Sequence, residues 1–471
     1  MNGNVITVIL FFNYFVLFYF LAINTIYILL TILSFKVLSN YINRNLLFKQ
    51  EKKIFQSSFY KPISILVPAY NEQTTIADNV KSLLQLRYPE FEIIVINDGS
   101  KDRTLEVLMK KYHLKPSFRP VVNNIPCRKI KAVFTSPDYD NLVVVDKENG
   151  GKADALNAGI NVSRFPLVSA IDSDSILESD VMSKLVWPFL DDQKTIAVGG
   201  IVRVANGCTI RAGEVVKIDL SSSMLANFQI IEYLRAFLFG RVGWDVINGL
   251  LVISGAFGLF LKSAVVRCGG YLHETVGEDM ELVVRMHRIM RESDIPYRIT
   301  FVPEPVCWTE VPETLKILGR QRNRWQRGLI ESLTTNRKML LNPRYGAVGM
   351  LAMPFFFFFE MVGPIIEFFG YIVFVLSLLF GMLNVTFAVL FFFVAIVLGV
   401  VLSVGSLVLE ELSFRKYPRY RHIAKLFVYS VLENFGYRQL NTWWRFRGII
   451  DYARGKKAWG TMERKGMKKE G

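Results

Sequence analysis

The sequence predicts an α/β domain with a parallel sheet, set between membrane helices. The first charged side chain is Lys36, and between residues 345 and 409 only Glu360 and Glu367 carry charge. The interval between these apolar blocks alternates short β-branched runs with helical stretches, the signature of βαβ units. Several of those runs stop at acidic or glycine-rich turns. In an open α/β sheet such turns sit at the carboxyl ends of the strands, where ligands bind.

A chain of 471 residues has room for about two or three domains. Hydrophobic residues make up 51%, including 37 Phe, and the formal net charge is +15. The basic residues adjoin the apolar blocks, which points to membrane lipids and away from nucleic acid. Cys127, Cys208, Cys268 and Cys307 are dispersed, without metal-ligand spacing or a disulfide framework, and fit a reducing compartment.

Residues 5–34 are uncharged and long enough to cross a bilayer as a tilted helix. They lack the basic start and short core of a signal peptide. Lys36, Arg44, Lys49, Lys52 and Lys53 follow, so the positive-inside rule puts the N-terminus outside and the next domain in the cytosol. The predicted division is an N-terminal transmembrane helix at 1–35, a cytosolic α/β domain at 36–310 and an amphipathic interface helix at 311–345. Two transmembrane helices at 346–410 and a basic cytosolic tail at 411–471 complete it.

A strand over 63–67 ends in Pro68-Ala69-Tyr70-Asn71-Glu72, and a helix over 75–86 leads to a second strand at 92–96, ending in Asn97-Asp98-Gly99-Ser100. Glu72 and Asp98 should face one crevice, although Asp98 reads equally well as a helix cap. A further helix opens near Asp102. Residues 111–141 read as a hairpin or surface loop, and 142–145 as the next strand. Then comes Asn149-Gly-Gly-Lys152. Its glycines let backbone approach a ligand, and Lys152 at a helix start suits an anionic diphosphate.

A strand over 167–169 runs into Asp172-Ser-Asp174. Two hard oxygen donors so close suit a divalent cation shared with substrate phosphates; a solvated polar turn is the plainer alternative. A strand over 196–204 and a helix over 220–241 with Glu232 and Arg235 follow. The small residues of Ser254-Gly-Ala-Phe-Gly258 could make room for a substrate chain. Gly277-Glu278-Asp279 precedes a helix over 280–290. A carboxylate there is either a cap or a general base that takes a proton from a hydroxyl nucleophile.

Residues 312–333 form a basic amphipathic helix suited to the membrane interface, with Lys316, Arg320, Arg322, Arg324 and Arg327 against Leu315, Leu318, Trp325 and Leu329. Within it, Gln321-Arg-Asn-Arg324-Trp325 offers a guanidinium for phosphate oxygens and a flat face for a sugar ring. A solvated basic face is the alternative. Membrane blocks follow at 351–383 and 385–409, joined by an external turn at Asn384. Glu360 and Glu367, seven apart, share a helical face and should either be buried against protein or line a wet path. The tail from residue 411 has 15 Lys/Arg against 5 Asp/Glu. That places it in the cytosol after three crossings, with residues 424–437 lying at the interface and Trp443, Trp444 and Trp459 as anchors.

PAYNE, NDGS, NGGKADALN, DSD, GED and QRNRW occur in this order. Together they resemble the membrane-integrated glycosyltransferases of family 2, the group of cellulose, hyaluronan and poly-N-acetylglucosamine synthases. The resemblance covers residues 60–335 and the flanking helices. It implies a GT-A nucleotide-binding fold and an integral plasma (inner) membrane enzyme. Ala69, Tyr70, Glu72 and Asp98 would then bind uridine, with Lys152 and Asp172 also on the nucleotide sugar. Asp172 and Asp174 would hold Mg²⁺ or Mn²⁺, and Asp279, with Glu278 beside it, would be the catalytic base. Gln321, Arg324 and Trp325 would contact diphosphate and acceptor.

The implied reaction is inverting transfer from a UDP-sugar to a growing β-linked polysaccharide. The donor would be UDP-N-acetylglucosamine or UDP-glucose; the VCWTEVPETL stretch resembles the poly-N-acetylglucosamine synthases. The alternatives are a non-processive enzyme acting on a lipid acceptor, and an inactive scaffold subunit of an export complex. Gly277 stands where many members carry Thr. With only three expected crossings, a closed polymer channel would need homo-oligomerisation, an export partner subunit or further helices.

Overall fold

The computed structural model describes residues 3–47, 60–173, 175–211, 213–417 and 419–456. In chain order the strands are β1 Ile63–Ala69, β2 Phe91–Asp98, β3 Lys115–Pro116, β4 Ile130–Thr135, β5 Leu142–Lys147 and β6 Leu167–Ile171. There follow β7 Ile176–Leu177, β8 Thr195–Val204, β9 Thr209–Arg211, β10 Glu214–Lys217, β11 Phe257–Leu261 and β12 Arg298–Thr309. Ten of them form one sheet in the order β3-β4-β5-β2-β1-β6-β11-β8-β12-β7, and β9 and β10 pair separately.

The segment β5-β2-β1-β6 is parallel throughout. Its strands are runs of Ile, Val and Leu buried over almost their whole length, as strands covered on both faces are. From β1 the chain steps outward to β2 and β5, then returns across β1 to β6. That reversal opens a crevice between the carboxyl ends of β1 and β6. The helix Lys152–Val162 lies close over this part of the sheet. A Cβ on Gly159 would sit 2.9 Å from Ile96 Cδ1 and 3.1 Å from Leu66 Cδ2, so only glycine fits without a shift.

The sheet is mixed, and the antiparallel strands lie where the sequence signal is weak. Residues 111–141 supply β3 and β4, with β4 antiparallel to β5 and largely half-exposed. β11 runs antiparallel to both β6 and β8, inside a small-residue stretch that resembles a loop. β12 is parallel to β8 although it contains Pro303 and Pro305, and its register shifts around Pro305. Proline usually demotes a run to non-strand.

The N-terminal helix Gly3–Leu47 is apolar enough to cross a membrane over Ile6–Tyr41, as is Val385–Ser413. The block expected as one crossing at 351–383 is a pair of helical segments, Val348–Met361 and Gly363–Leu379, bent by 40°. Pro354 and Pro364 each remove a backbone donor there, the usual origin of such a break. By length and composition, two helices can span, or three if the bent pair counts as one span.

The tail is more than an interfacial segment. It forms helices Tyr420–Leu432 and Tyr437–Ala453. The second packs on the helix Leu315–Thr335 at two glycines. A Cβ on Gly319 would lie 2.7 Å from Trp444 Nε1, and one on Gly448 2.8 Å from the Asn323 carbonyl. Asn323 donates to Asp451 at 2.9 Å, and Arg445 donates to Gln326 at 2.9 Å. Trp444 therefore packs against protein, where the sequence suggested an interface anchor; Trp459, Lys49, Lys52 and Lys53 lie outside the described residues.

The basic face of Leu315–Thr335 is likewise turned inward in part. Arg322 is 2% exposed, pairs with Glu232 at 2.7 Å and stacks its guanidinium 4.3 Å above the Trp325 ring.

Candidate active site

At the end of β1, Ala69 is buried and Tyr70 is exposed. Asn71 follows at φ 55, a left-handed conformation that asparagine tolerates. Its side chain accepts from Lys101 N at 2.8 Å, and its N–H donates to Ser100 at 3.0 Å, tying the β1 turn to the β2 turn. Glu72 accepts from Thr75 at 2.6 Å and from Ser173 at 3.0 Å. The second bond fastens it to the turn that carries Asp172.

Asp98 ends β2 and is 3% exposed. One carboxylate oxygen accepts from Lys147 Nζ at 2.5 Å and Gly150 N at 3.0 Å; the other accepts from Gly151 N at 2.8 Å and Asn149 Nδ2 at 3.2 Å. It is an organiser of the glycine loop, a position that neither the cap nor the open-crevice reading described. The fully buried Lys147 also pairs with Asp154.

That loop delivers Lys152, the first residue of its helix, to Asp172 at 2.6 Å and within 3.7 Å of Glu278. Burial pulls the Lys152 ammonium down, but Asp172, Glu278 and Asp279 outweigh it and hold the pKa above the usual lysine value. Burial, opposed by Lys152 and reinforced by Asp279, raises the Glu278 carboxyl above the ordinary glutamate range. Asp279 lies in the first turn of Glu278–Glu292, and its Oδ2 accepts from Gly255 N at 2.8 Å. A Cβ on Gly255 would come 3.0 Å from that oxygen. The small-residue stretch thus makes room for a carboxylate as well as lining the cavity.

Lys152, Asp172, Glu278, Asp279, Gln321, Arg324 and Trp325 line one cavity of about 410 Å³. The ring of Trp325 has one face under Arg322 and is 43% exposed. Ala69, Tyr70, Glu72 and Asp98 lie outside this lining, on the β1/β2 side of the crevice, linked to it through Ser173. Asp174 lies outside the described residues. Residues unforeseen as site members include Arg241 and Gly328, which line the same cavity. Nothing in a basic residue at the end of an apolar helix announces such a role.

Gly328 explains Gly277. A Cβ on Gly277 would lie 2.8 Å from Gly328 Cα, so the turn before Glu278 and the Arg324 helix cross backbone to backbone. Gly277→Thr should push them apart and cost about 1–3 kcal/mol, the usual range for overpacking. A lowered thermal midpoint together with weakened transfer is the expected result. Unchanged values for both would mean that the crossing tolerates a side chain.

A switch-point crevice in this mixed sheet, with acids and a lysine on one wall and a Gln-Arg-Trp helix on the other, defines a GT-A type nucleotide-sugar transferase fold. Residues 64–213 match the family described as Glycosyl transferase family 2, and residues 167–402 match Glycosyl transferase family group 2. The chain belongs to the family 2 glycosyltransferases. It is 31% identical over 317 residues to a poly-beta-1,6-N-acetyl-D-glucosamine synthase of Staphylococcus epidermidis, covering 67% of this chain and 64% of that one. A Staphylococcus aureus protein of the same name is 35% identical over 269 residues, 56% of this chain and 54% of its own. The chain thus spans between half and two thirds of the length of these relatives. Among solved structures, a mannosyltransferase from Pyrobaculum calidifontis, in complex with GDP-Man and Mn²⁺, superposes with a TM-score of 0.50 at 15% identity. It covers 91% of this chain and 99% of its own, a likeness of fold.

Proposed function

We propose that this protein is an inverting glycosyltransferase that extends a β-linked polysaccharide from a UDP-sugar and passes it outwards. The catalytic domain and tail would be cytosolic and the N-terminus outside, in the plasma (inner) membrane. The observation that carries the processive reading is a second cavity of about 360 Å³. It lies between the apolar helices and shares Glu232, Arg241 and Glu360 with the catalytic one. Its walls mix apolar side chains such as Phe20, Trp244 and Leu251 with polar ones: Glu360 pairs with Arg445 at 2.9 Å and accepts from Tyr27 at 2.5 Å, while Glu367 accepts from Thr442 at 2.8 Å. Both carboxylates are thereby held by protein and also face this space, as acids at membrane depth should be. Carboxylates and arginines set between apolar helices beside the reaction centre suit a sugar chain better than a lipid tail.

In this mechanism Asp279 takes the proton of an acceptor hydroxyl. The hydroxyl oxygen bonds to the anomeric carbon of the α-linked donor as the bond to the diphosphate breaks. UDP leaves with that electron pair, and the centre inverts to β. Lys152 and Arg324 stabilise the charge that grows on the diphosphate. Trp325 stacks the acceptor ring. Ala69, Tyr70 and Glu72 hold the uridine, and Asp98 shapes the loop that presents Lys152. Glu278, above the usual range by burial, keeps Lys152 in place.

Among the described residues no three His, Cys, Asp or Glu converge as a metal cage. Asp172, partly exposed at the rim, fits instead a cation that keeps its waters and bonds to one or two carboxylates plus substrate phosphates. Asp172 and Asp174 would hold it. Mg²⁺ or Mn²⁺ there would neutralise charge on the leaving diphosphate.

The test is UDP release by the full chain in lipid nanodiscs, with UDP-N-acetylglucosamine and UDP-glucose in parallel. Turnover of one donor, abolished by EDTA and restored by Mg²⁺ or Mn²⁺, with a product too large to extract as lipid, is the expected result. An organic-soluble product would reject the polymerase, and metal-independent turnover would reject the cation.

A further inference from the structure

We infer that Arg241 binds the acceptor end of the substrate and selects its chemistry, admitting sugars with neutral carbonyl or hydroxyl substituents and disfavouring amine-bearing ones. This rests on the glycosyl-transfer reading and adds a specificity residue to it.

Arg241 closes the π-helical turn Arg235–Arg241 and lies over the Phe237 ring, 3.8 Å from its centroid. Its Nη1 is buried and has no hydrogen-bond partner among the described residues. Three arginines around it are each matched to a carboxylate, Arg235 to Glu433, Arg322 to Glu232 and Arg445 to Glu360, and Arg438 donates to Asn434. The acids that line the cavity with it already accept other bonds, and of them Asp279 is the one whose charge acts on Arg241. Glu232 also accepts from Tyr437 at 2.8 Å, Glu360 from Tyr27, and Asp279 from Gly255 N. Burial draws the Arg241 pKa down to about 10, which still leaves the group charged at neutral pH. A desolvated donor without an acceptor is costly, and a ligand oxygen removes that cost.

Its location says which ligand. Lys152 and Asp172 mark the donor side of the catalytic cavity, and they do not line the second cavity. Arg241 lines both, beside Ala236, Val252 and Phe356. A chain end passing from the reaction centre to the second cavity would run beside it. An acetamido carbonyl or hydroxyl can accept from the guanidinium there. An ammonium group meets a like charge in a poorly hydrated space, where repulsion is weakly screened.

The experiment uses the full chain in nanodiscs and measures equilibrium binding of three probes at pH 6. These are the β-1,6-linked tetramer of N-acetylglucosamine, its de-N-acetylated form, and the glucose tetramer of the same linkage. Wild type should bind a neutral tetramer at least about tenfold more tightly than the amine form. Arg241→Gln should lose about tenfold for the neutral tetramer, the size of one charged hydrogen bond, and most of the discrimination. Arg241→Lys should bind more weakly yet keep the discrimination. UDP affinity should stay within about twofold in all variants. Equal tetramer binding by wild type and Arg241→Gln would overturn the inference. So would a parallel loss of UDP affinity, which reports a collapsed site, or a wild type that binds no tetramer. Donor hydrolysis without tetramer judges the glycosyl-transfer reading separately.

Discussion

Asp279→Asn should lower UDP-sugar turnover by about 10²–10⁴-fold, the usual contribution of a positioned general base. The amide keeps an oxygen that can accept from Gly255 N–H, the bond that Asp279 Oδ2 now accepts at 2.8 Å. Fold and donor affinity should therefore survive, and the loss should fall on turnover. UDP binding by calorimetry beside steady-state turnover separates the two. Turnover within about threefold of wild type would remove Asp279 from the role of base. A matching loss of UDP affinity would make it a binding residue.

The largest stability effect is expected at Glu232. It is the counterion of Arg322, which is 2% exposed, and it accepts from Tyr437. Glu232→Leu strands a guanidinium inside the protein, a change that costs about 3–5 kcal/mol when a buried pair loses one partner. The thermal midpoint should drop by several degrees. Transfer should weaken too, because Arg322 backs the ring of Trp325. The double variant Glu232→Leu with Arg322→Met should regain most of the stability without regaining transfer. A single variant as stable as wild type would mean that water reaches Arg322 and that the pair does not brace the helix.

Much of the crevice at the strand ends was legible in the chain because strand ends and their turns are local features. A run such as Ile63-Ser-Ile-Leu-Val67 announces a buried strand, and the polar residues that follow it must sit at its carboxyl end. Lys152 and Asp172, each just beyond a predicted strand end, do meet at 2.6 Å. Asp98 shows the limit. Four donors converge on it from a loop some fifty residues away in the chain, and no local pattern reports that.

The Trp325 side of the cavity was less legible, since long-range contacts make it. β11 hides in a glycine-rich stretch, β12 carries prolines, and Arg241 reaches the cavity from the end of an apolar helix. The Gly277–Gly328 crossing needs both helices in place before either glycine has a meaning. The basic face of Leu315–Thr335 misled for the same reason. Its amphipathic pattern is real, but part of its polar face is met by Glu232 and by Arg445, Trp444 and Asp451 near it.

The brace formed by Tyr437–Ala453 also orders events in time. Its residues are translated after the last apolar helix, yet they support the helix that carries Arg324 and Trp325. A chain still on the ribosome therefore has its hydrophobic segments ready for the bilayer before its reaction chamber is walled in. For the proposed transferase, chains that stop short of this brace should lack support for the Arg324–Trp325 wall of the cavity.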